Sequence, residues 1–251
     1  MNLSIRWLAP LAVLGISFFF SMLGMGGGQL YIPTFYWLGL DFKLEAIPLG
    51  LLLNVVTSSS ASLTYLRHRL VRLRMAMPFA LTMIAAAPVG ALFTARVPTR
   101  IIIVLFAVFL LLAAGLALSG WKPMKGALSK RAELVVGVMA GTLLGLLVGM
   151  LGRGGGSFVV PTLLMLGLDP RNAAATSMFV VTFSAASGFL GHLAQGRLDW
   201  GLAAACAGAA LLGSQIGSRL MVRQVKSRTL RRLFALVIIA VASQLLWSAS
   251  H

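Results

Sequence analysis

The sequence predicts an all-α integral membrane protein of two homologous halves, each with about four membrane runs and one glycine-broken helix. Of its 251 residues, 59% are hydrophobic and only 10% are charged, against about a quarter charged in soluble domains. Apolar runs of the ~20 residues needed to cross a bilayer recur along the whole chain. One stretch occurs twice: residues 22–41 and 150–169 are identical at 12 of 20 positions, with a constant offset of 128.

The first half, residues 1–119, is predicted to contain a broken helix followed by three spans. Its opening apolar run is too long for one span and is interrupted at Gly24–Gly28. Glycine favours open backbone states and contributes no side chain to pack, so a glycine run breaks a helix. We therefore expect a helix over 5–23 and a short helix over 29–39. The later runs are about 45–66, 75–95 and 101–119.

A basic linker, residues 120–132, is predicted to join the halves. The second half, residues 133–251, repeats the order of the first, with runs at about 133–151, 157–167, 172–193, 200–218 and 233–248. Its first run spaces glycines four apart, which puts them on one helical face and favours close helix packing: Gly137, Gly141, Gly145 and Gly149.

The charge distribution indicates a membrane topology. The 21 Lys and Arg residues give a net charge of +16 and lie mainly in short connectors, the positive-inside pattern, so nucleic-acid binding is not expected. The single cysteine, Cys206, excludes a disulfide framework. Connectors 67–74, 120–132 and 219–232 all face the cytoplasm if each broken helix enters and returns on one side. The two halves are then inverted repeats with both termini outside. A parallel eight-span topology is the alternative.

The paired glycine breaks are the predicted functional site. Inside a membrane, non-helical backbone survives only where it is buried in protein or lines a cavity. Matching broken helices in corresponding halves point to the binding site of a transporter. A helix N-terminus carries roughly +0.5 of a charge, and its unpaired N–H groups bind anions. Two such ends would hold one small oxyanion; the alternative is that the glycines only allow close helix packing.

Arg153 is a departure from the internal symmetry, because Met25 occupies the matching position. Its planar guanidinium group can donate two parallel hydrogen bonds to sulfonate, sulfite or carboxylate oxygens. Alternatively, the side chain reaches the membrane–water interface or neutralises carbonyl groups at a helix end. Polar residues of the runs after each break are further candidates, although Ser and Thr often bond back to their own helix. The full predicted substrate-binding set is Gly26, Gly27, Gly28, Gln29, Asn54, Thr57, Ser58, Arg153, Gly154, Gly155, Gly156, Ser157, Thr176, Ser177 and Thr182.

Several other chemistries lack candidates in the sequence. The five acidic residues lie at the ends of predicted runs, which leaves no buried carboxylate for a proton relay. An inside-negative potential of 100 mV favours exit of one negative charge by ~2.3 kcal/mol, so export of an anion needs no coupling ion. No metal-ligand spacing or catalytic motif occurs, so we expect no enzyme, no catalytic residue, no metal and no cofactor.

At these residues the sequence resembles the TauE/SafE sulfite exporter family of membrane transporters. The resemblance rests on Gly24-x-Gly26-Gly27-Gly28 with Pro33, on Gly152-x-Gly154-Gly155-Gly156 with Pro161, and on Ala174-Ala175-Thr176-Ser177. It implies transport of sulfite, sulfonates or related small anions across the bacterial inner membrane. The run over 45–66 departs from the pattern, because it reads Ala46-Ile47-Pro48-Leu49 where the equivalent run of the second half has Ala-Thr-Ser.

The leading hypothesis is therefore a multi-pass inner-membrane transporter, acting as an exporter, for small sulfur-containing or organic anions. The expected partners are the anionic substrate and the lipid bilayer; a homo-oligomer is left open. Two alternatives remain: a non-transporting membrane subunit that assembles with a partner protein, and an anion channel. Replacing Arg153 by alanine separates the first from transport, because a scaffold would tolerate the loss of a ligand-binding arginine.

Overall fold

The computed structural model describes residues 3–93, 111, 115, 130–151, 156–193 and 197–250. Within these ranges the regular structure is helical throughout, so the predicted all-α class is confirmed. The helices are α1 (Leu3–Leu23), α2 (Gly28–Trp37), a π-helical turn (Phe42–Ala46) leading into α3 (Ile47–Arg67), α4 (Leu73–Phe93), α5 (Lys130–Leu151), α6 (Gly156–Met165), α7 (Pro170–Leu193), α8 (Trp200–Arg223) and α9 (Ser227–Ser250). Apart from residues 111 and 115, the predicted run 101–119 lies outside the described residues, as does most of the predicted linker.

Three helical stretches among the described residues are long and apolar enough to cross a bilayer: Phe42–Arg67, Pro170–Leu193 and Trp200–Arg223. Large apolar side chains also point outward from the bundle; Leu190 is 67% exposed and Leu212 is 61% exposed. Exposed apolar surface of this extent is unfavourable in water and favourable against hydrocarbon. The chain is therefore an integral membrane protein.

Acidic side chains mark where helices begin. Asp41 accepts hydrogen bonds from the N–H groups of Lys43 and Leu44, and Asp199 accepts from those of Gly201 and Leu202. A carboxylate at this position satisfies N–H groups that lack a partner within the helix and interacts favourably with the helix dipole. These carboxylates therefore cap the N-termini of helices and lie outside the middle of the bundle.

Contacts between the two parts of the chain are reciprocal. The order of the helices recurs at the offset of 128, so that α2 and α6 cover equivalent residues. Helix α1 packs along α8 while its equivalent, α5, packs along α4; α3 and α7 pack on each other, and α2 contacts α6.

Glycines allow the closest of these helix contacts. A Cβ atom at Gly137 would lie 2.7 Å from the Met75 carbonyl oxygen, and one at Gly145 would lie 2.7 Å from that of Met83. Such distances leave no room for any side chain, so the predicted packing role of these glycines is confirmed. The residue numbers rise together in both helices, which makes α4 and α5 parallel.

Basic residues collect at one end of the bundle. There the Arg72 N–H donates to Thr176 Oγ1 (3.1 Å), the Arg72 guanidinium pairs with Glu133 (3.8 Å), and Arg171 Nε donates to the Val225 carbonyl (2.9 Å). We call this the basic end; it comprises residues 67–74, 131–133, 169–176 and 219–228. It gathers the end of α3, the starts of α4, α5 and α7, and the end of α8.

The opposite end joins the start of α3 to the segment after α7. The Arg197 N–H donates to the Leu44 carbonyl at 2.7 Å. Because Thr176, near the start of α7, lies at the basic end, α3 and α7 run antiparallel.

One predicted boundary is wrong. The sequence placed residues 219–232 in a connector, but α8 continues to Arg223 and α9 begins at Ser227. Arginine is a good helix former, and its long stem carries the charge away from apolar surface. The basic residues here therefore extend the helices.

Candidate functional site

The chain breaks between α1 and α2 at the first glycine run. Gly24, Gly26 and Gly27 have φ of +75°, +80° and +101°, in the left-handed region. Residues with a Cβ atom enter this region at a cost of roughly 1–2 kcal/mol each, whereas glycine enters it freely. Three such residues within four positions end α1 and turn the chain. We call residues 24–28 the glycine break.

The glycine break reverses the chain, and α2 starts at mid-depth of the bundle. Gly28 lies against Asn54 and Ile32 lies against Gly50, so α2 runs antiparallel to α3. Helix α1 is parallel to α8, because Gly213 contacts Ser17 and Gly217 contacts Ser21. Asn54 lies in the middle of the stretch Phe42–Arg67, so α2 starts far from either end. The start of α1 and the end of α2 therefore lie towards the same end of the bundle.

Asn54 packs directly on the glycine break. A Cβ atom at Gly26 would overlap Asn54 Oδ1, and one at Gly28 would lie 2.9 Å from Asn54 Nδ2. The absence of side chains at these two glycines is therefore what admits the amide. Asn54 is 1% exposed, and its Oδ1 has no hydrogen-bond partner within the described part of the chain.

Ser177 borders the same break from the other side. Gly24 lies against Ala174, with a built Cβ 2.5 Å from its Cα, and Gly26 lies against Val181. Ser177 stands three residues after Ala174 and four before Val181, so all three share one face of α7. Ser177 is fully buried, and among the described residues its Oγ has no hydrogen-bond partner.

Two buried polar atoms, one on Asn54 against the break and one on the α7 face that contacts it, thus have no partner among the described residues. An unpaired buried polar group costs about 1–3 kcal/mol, and native structures keep few of them. Exceptions of this kind are expected at functional sites. The N-cap residue of α2 is Gly27, which has no side chain with which to cap the helix. The arrangement can supply hydrogen bonds and the positive end of a helix dipole to a small buried ligand.

Other predicted residues of the first half hold the break in place. Thr57 Oγ1 and Tyr31 OH are 2.7 Å apart, and the Tyr31 ring lies 2.9 Å from a Cβ built on Gly27. The Ser58 hydroxyl donates to the Asn54 carbonyl at 2.6 Å. Both predicted hydroxyls are therefore engaged within the protein. Gln29 is the second residue of α2 and is half-buried.

Predicted residues of the second half are spread over a wider region. Arg153, Gly154 and Gly155 lie outside the described residues; Gly156 and Ser157 begin α6. Thr176 Oγ1 accepts its hydrogen bond at the basic end. Thr182, the residue equivalent to Asn54 by the offset, donates to the Met178 carbonyl (2.9 Å) and lies 3.5 Å from Ser62 Oγ.

Sequence reasoning missed Tyr31 and Ser214. The Ser214 hydroxyl donates to the Thr57 carbonyl at 2.7 Å, which extends the chain of bonds from Tyr31 through Thr57 to α8. A tyrosine three residues after a glycine run was the available signal for Tyr31. Ser214 gave no signal, since its partner is 157 positions away.

In the described part of the chain, the acidic side chains lie away from the break. All five acidic residues are at or near the starts of helices in the described structure. Among the residues that the structure describes, no three His, Cys, Asp or Glu side chains are close enough together to hold a metal ion. The break combines buried hydrogen-bonding atoms with a positive helix end and no carboxylate, a setting that suits an anion.

Comparisons with known proteins agree with this description. A family model described as "Sulfite exporter TauE/SafE" matches residues 9–245. The chain is similar to a protein named "Probable membrane transporter protein YunE" from Bacillus subtilis (strain 168), with 26% identity over 90% of this chain and 92% of that protein. It is 30% identical to "Probable membrane transporter protein ORF9" from Sinorhizobium sp, over 94% and 90% of the two chains.

A third relative matches over a shorter segment. "Sulfite exporter TauE/SafE family protein 1" from Arabidopsis thaliana is 38% identical over 85 residues, which is 34% of this chain and 19% of that protein. No solved structure matches the chain. The family model and the two bacterial relatives span almost the whole chain. The chain therefore belongs to the sulfite exporter TauE/SafE family and is a membrane transporter protein of that type.

Proposed function

We propose that the protein exports a small anion of the sulfite or sulfonate class through a site at the glycine break. The observation that carries the proposal is a pair of buried atoms, Asn54 Oδ1 and Ser177 Oγ, that have no hydrogen-bond partner among the described residues and belong to the faces of α3 and α7 that contact the glycine break. A serine hydroxyl donates to an anion, and rotation of the Asn54 side chain about χ2 exchanges its amide oxygen for the NH₂ donor.

The anion class follows from what surrounds these two residues. No carboxylate lies in the middle of the described bundle, so an incoming negative charge meets only helix dipoles and neutral donors. The sulfite class is suggested by the description of the family, which names a sulfite exporter. Arg153, at the second glycine run, would add a planar fork that matches two oxygens of one oxyanion.

Inverted repeats in a bacterial inner membrane are part of the proposal. Helices α3 and α7, equivalent by the offset of 128, run antiparallel, and the contacts of α1 with α8 and of α5 with α4 are reciprocal. The basic end would face the cytoplasm under the positive-inside rule. The second glycine run would then bring a second helix N-terminus towards the first, which the contact of α2 with α6 supports.

Outward transport is proposed from the membrane potential. An inside-negative potential of 100 mV drives one negative charge outward with ~2.3 kcal/mol, and no buried carboxylate offers a route for a coupling proton. Potential-driven exit through a broken-helix site is therefore the mechanism that needs the fewest additional groups.

The test is flux of radiolabelled sulfite in proteoliposomes, with an imposed potassium diffusion potential of either sign. We expect the direction of flux to reverse with the sign of the potential. We also expect a large rise in the sulfite concentration that gives half-maximal flux for Asn54→Leu, which keeps the volume of the side chain and removes its polar atoms. Ser59→Ala is the matched control, because Ser59 is exposed on the same helix and bonds back to Val56. Equal half-saturation in the two variants, or flux that ignores the potential, would contradict the proposal.

A further inference from the structure

A second polar cavity lies at the basic end, between the last turns of α3 and α8. It has a volume of about 150 Å³, which is about five times the ~30 Å³ that one water occupies in the liquid. Its polar floor is formed by Thr64 and Gln215, and three arginines surround it: Arg67 from α3, and Arg219 and Arg223 from α8. We call it the arginine pocket.

Hydrogen bonds hold the floor of the arginine pocket. Gln215 Nε2 donates to both the carbonyl (3.0 Å) and the hydroxyl (2.8 Å) of Ser60, and Thr64 Oγ1 donates to Gln215 Oε1 at 3.5 Å. His68 Nδ1 lies 2.8 Å from the Thr64 carbonyl, so this nitrogen carries the proton. The floor is therefore positioned by the contact of α3 with α8.

None of the three guanidinium groups has a counter-charge within ion-pair distance among the described residues. Among the described residues, which include all five carboxylates, the single ion pair within 4.0 Å joins Arg72 to Glu133 and lies outside the pocket. Arg219 and Arg223 stand four apart on α8, a spacing at which like charges destabilise a helix. Three positive charges around one small cavity are favourable when an anion occupies it.

We propose that the arginine pocket binds a small oxyanion at a site separate from the glycine break. Thr64 follows Asn54 by ten residues of α3, or ~15 Å at 1.5 Å per residue. The shared chemistry is a compact group with several oxygens and negative charge, such as sulfate, sulfite or phosphate. Its source is either the free ion or the phosphate of a lipid headgroup. The inference goes beyond the proposed function and does not depend on transport at the break.

A local readout tests binding at this site alone. Val222 lines the pocket, and the single native cysteine, Cys206, is buried and can be replaced by alanine. In purified Cys206→Ala/Val222→Cys protein, alkylation by N-ethylmaleimide is measured with sodium sulfate and with sodium chloride of equal ionic strength. By mass action, sulfate at ten times its dissociation constant should slow alkylation roughly tenfold. The ratio of the two rates is used because arginine substitutions also change the basal reactivity of the thiol.

Arginine variants decide whether the protection comes from the pocket. Adding Arg219→Gln with Arg223→Gln should bring the rate ratio to one, and so should Arg67→Gln, which removes a charge from a different helix. Arg74→Gln is the matched control, because this exposed arginine is at the basic end and does not line the pocket. A ratio of one in the protein that keeps all its arginines, or protection by sulfate that survives in the pocket variants, excludes a free oxyanion bound in the pocket. Either result overturns the proposal unless a lipid phosphate is the occupant.

A separate experiment tests whether a lipid phosphate occupies the pocket. The same protein is placed in nanodiscs of phosphatidylcholine, with and without phosphatidylglycerol, in the absence of sulfate. Slower alkylation with phosphatidylglycerol, abolished by Arg67→Gln and kept by Arg74→Gln, identifies a lipid phosphate as the occupant. Absence of arginine-dependent protection in both arms refutes an oxyanion site. Either result is independent of whether the glycine break transports sulfite.

Discussion

Replacing Ser177 by alanine is expected to make the protein more stable and its anion binding weaker. The Ser177 hydroxyl is fully buried without a hydrogen-bond partner among the described residues, and it lies on the α7 face that contacts the glycine break. Alanine removes one oxygen atom and leaves the rest of the side chain in place. The substitution therefore removes the cost of burying an unpaired hydroxyl in the ligand-free protein. It also removes a hydrogen-bond donor that the protein would offer to the bound anion.

The two effects can be estimated separately. An unpaired buried polar group costs about 1–3 kcal/mol, so we expect a gain of about 1 kcal/mol, or roughly 2–4 °C in the unfolding midpoint for a chain of this length. A hydrogen bond to a charged ligand contributes about 1.5–3 kcal/mol. Its loss should raise the half-saturation for sulfite roughly 10- to 140-fold, at 1.4 kcal/mol for each factor of ten.

Thermal unfolding in detergent and sulfite flux in proteoliposomes measure these quantities on the same preparation. Ser184→Ala is the matched control on the same helix, because the Ser184 hydroxyl already bonds to the Val181 carbonyl at 3.2 Å. It should leave the half-saturation unchanged. A lower unfolding midpoint for Ser177→Ala than for Ser184→Ala, together with unchanged flux, would show that the Ser177 hydroxyl is structural and does not meet the anion.

Two further predictions concern glycines where a side chain has no room. Gly26→Ala should lower stability by about 2–5 kcal/mol, because φ is +80° and the new methyl overlaps the Asn54 amide; loss of sulfite flux should accompany it. Gly217→Ala should separate α1 from α8 at the Phe18 carbonyl and cost about 1–3 kcal/mol. Gly208→Ala, on the same helix with open space around it, should instead stabilise by about 0.5–1 kcal/mol. Unfolding midpoints check all three, and equal values for the Gly217 and Gly208 variants would refute the close-contact explanation.

Local features of the fold were predictable because they depend on short stretches of sequence. Helix α2 was expected over 29–39 and spans Gly28–Trp37, since the glycines before it and the apolar run within it are adjacent in the chain. Asp41 and Asp199 were expected at run ends and lie at helix starts for the same reason. The end of α8 was misplaced because the sequence alone does not tell whether a charged turn continues a helix.

The candidate site was only partly predictable, because serine and threonine residues look alike until their neighbours are known. Thr57, Ser58 and Ser177 were all candidates of the same kind. In the structure, Thr57 bonds to Tyr31 and Ser58 bonds to its own helix, while Ser177 alone of the three has a buried hydroxyl without a partner in the described chain. These differences arise from contacts between α2, α3 and α7 that no local pattern encodes.

By itself, the sequence determined that this is a helical membrane protein with an internal repeat and a glycine break, because hydrophobic length and glycine backbone freedom act within a few turns of chain. Only the tertiary structure decided that Asn54 packs on that break, that α7 turns the face carrying Ser177 towards it, and that Arg67 lines one pocket with Arg219 and Arg223. Such pairings depend on how helices far apart in sequence pack and in which direction they run, and those are properties of the assembled bundle.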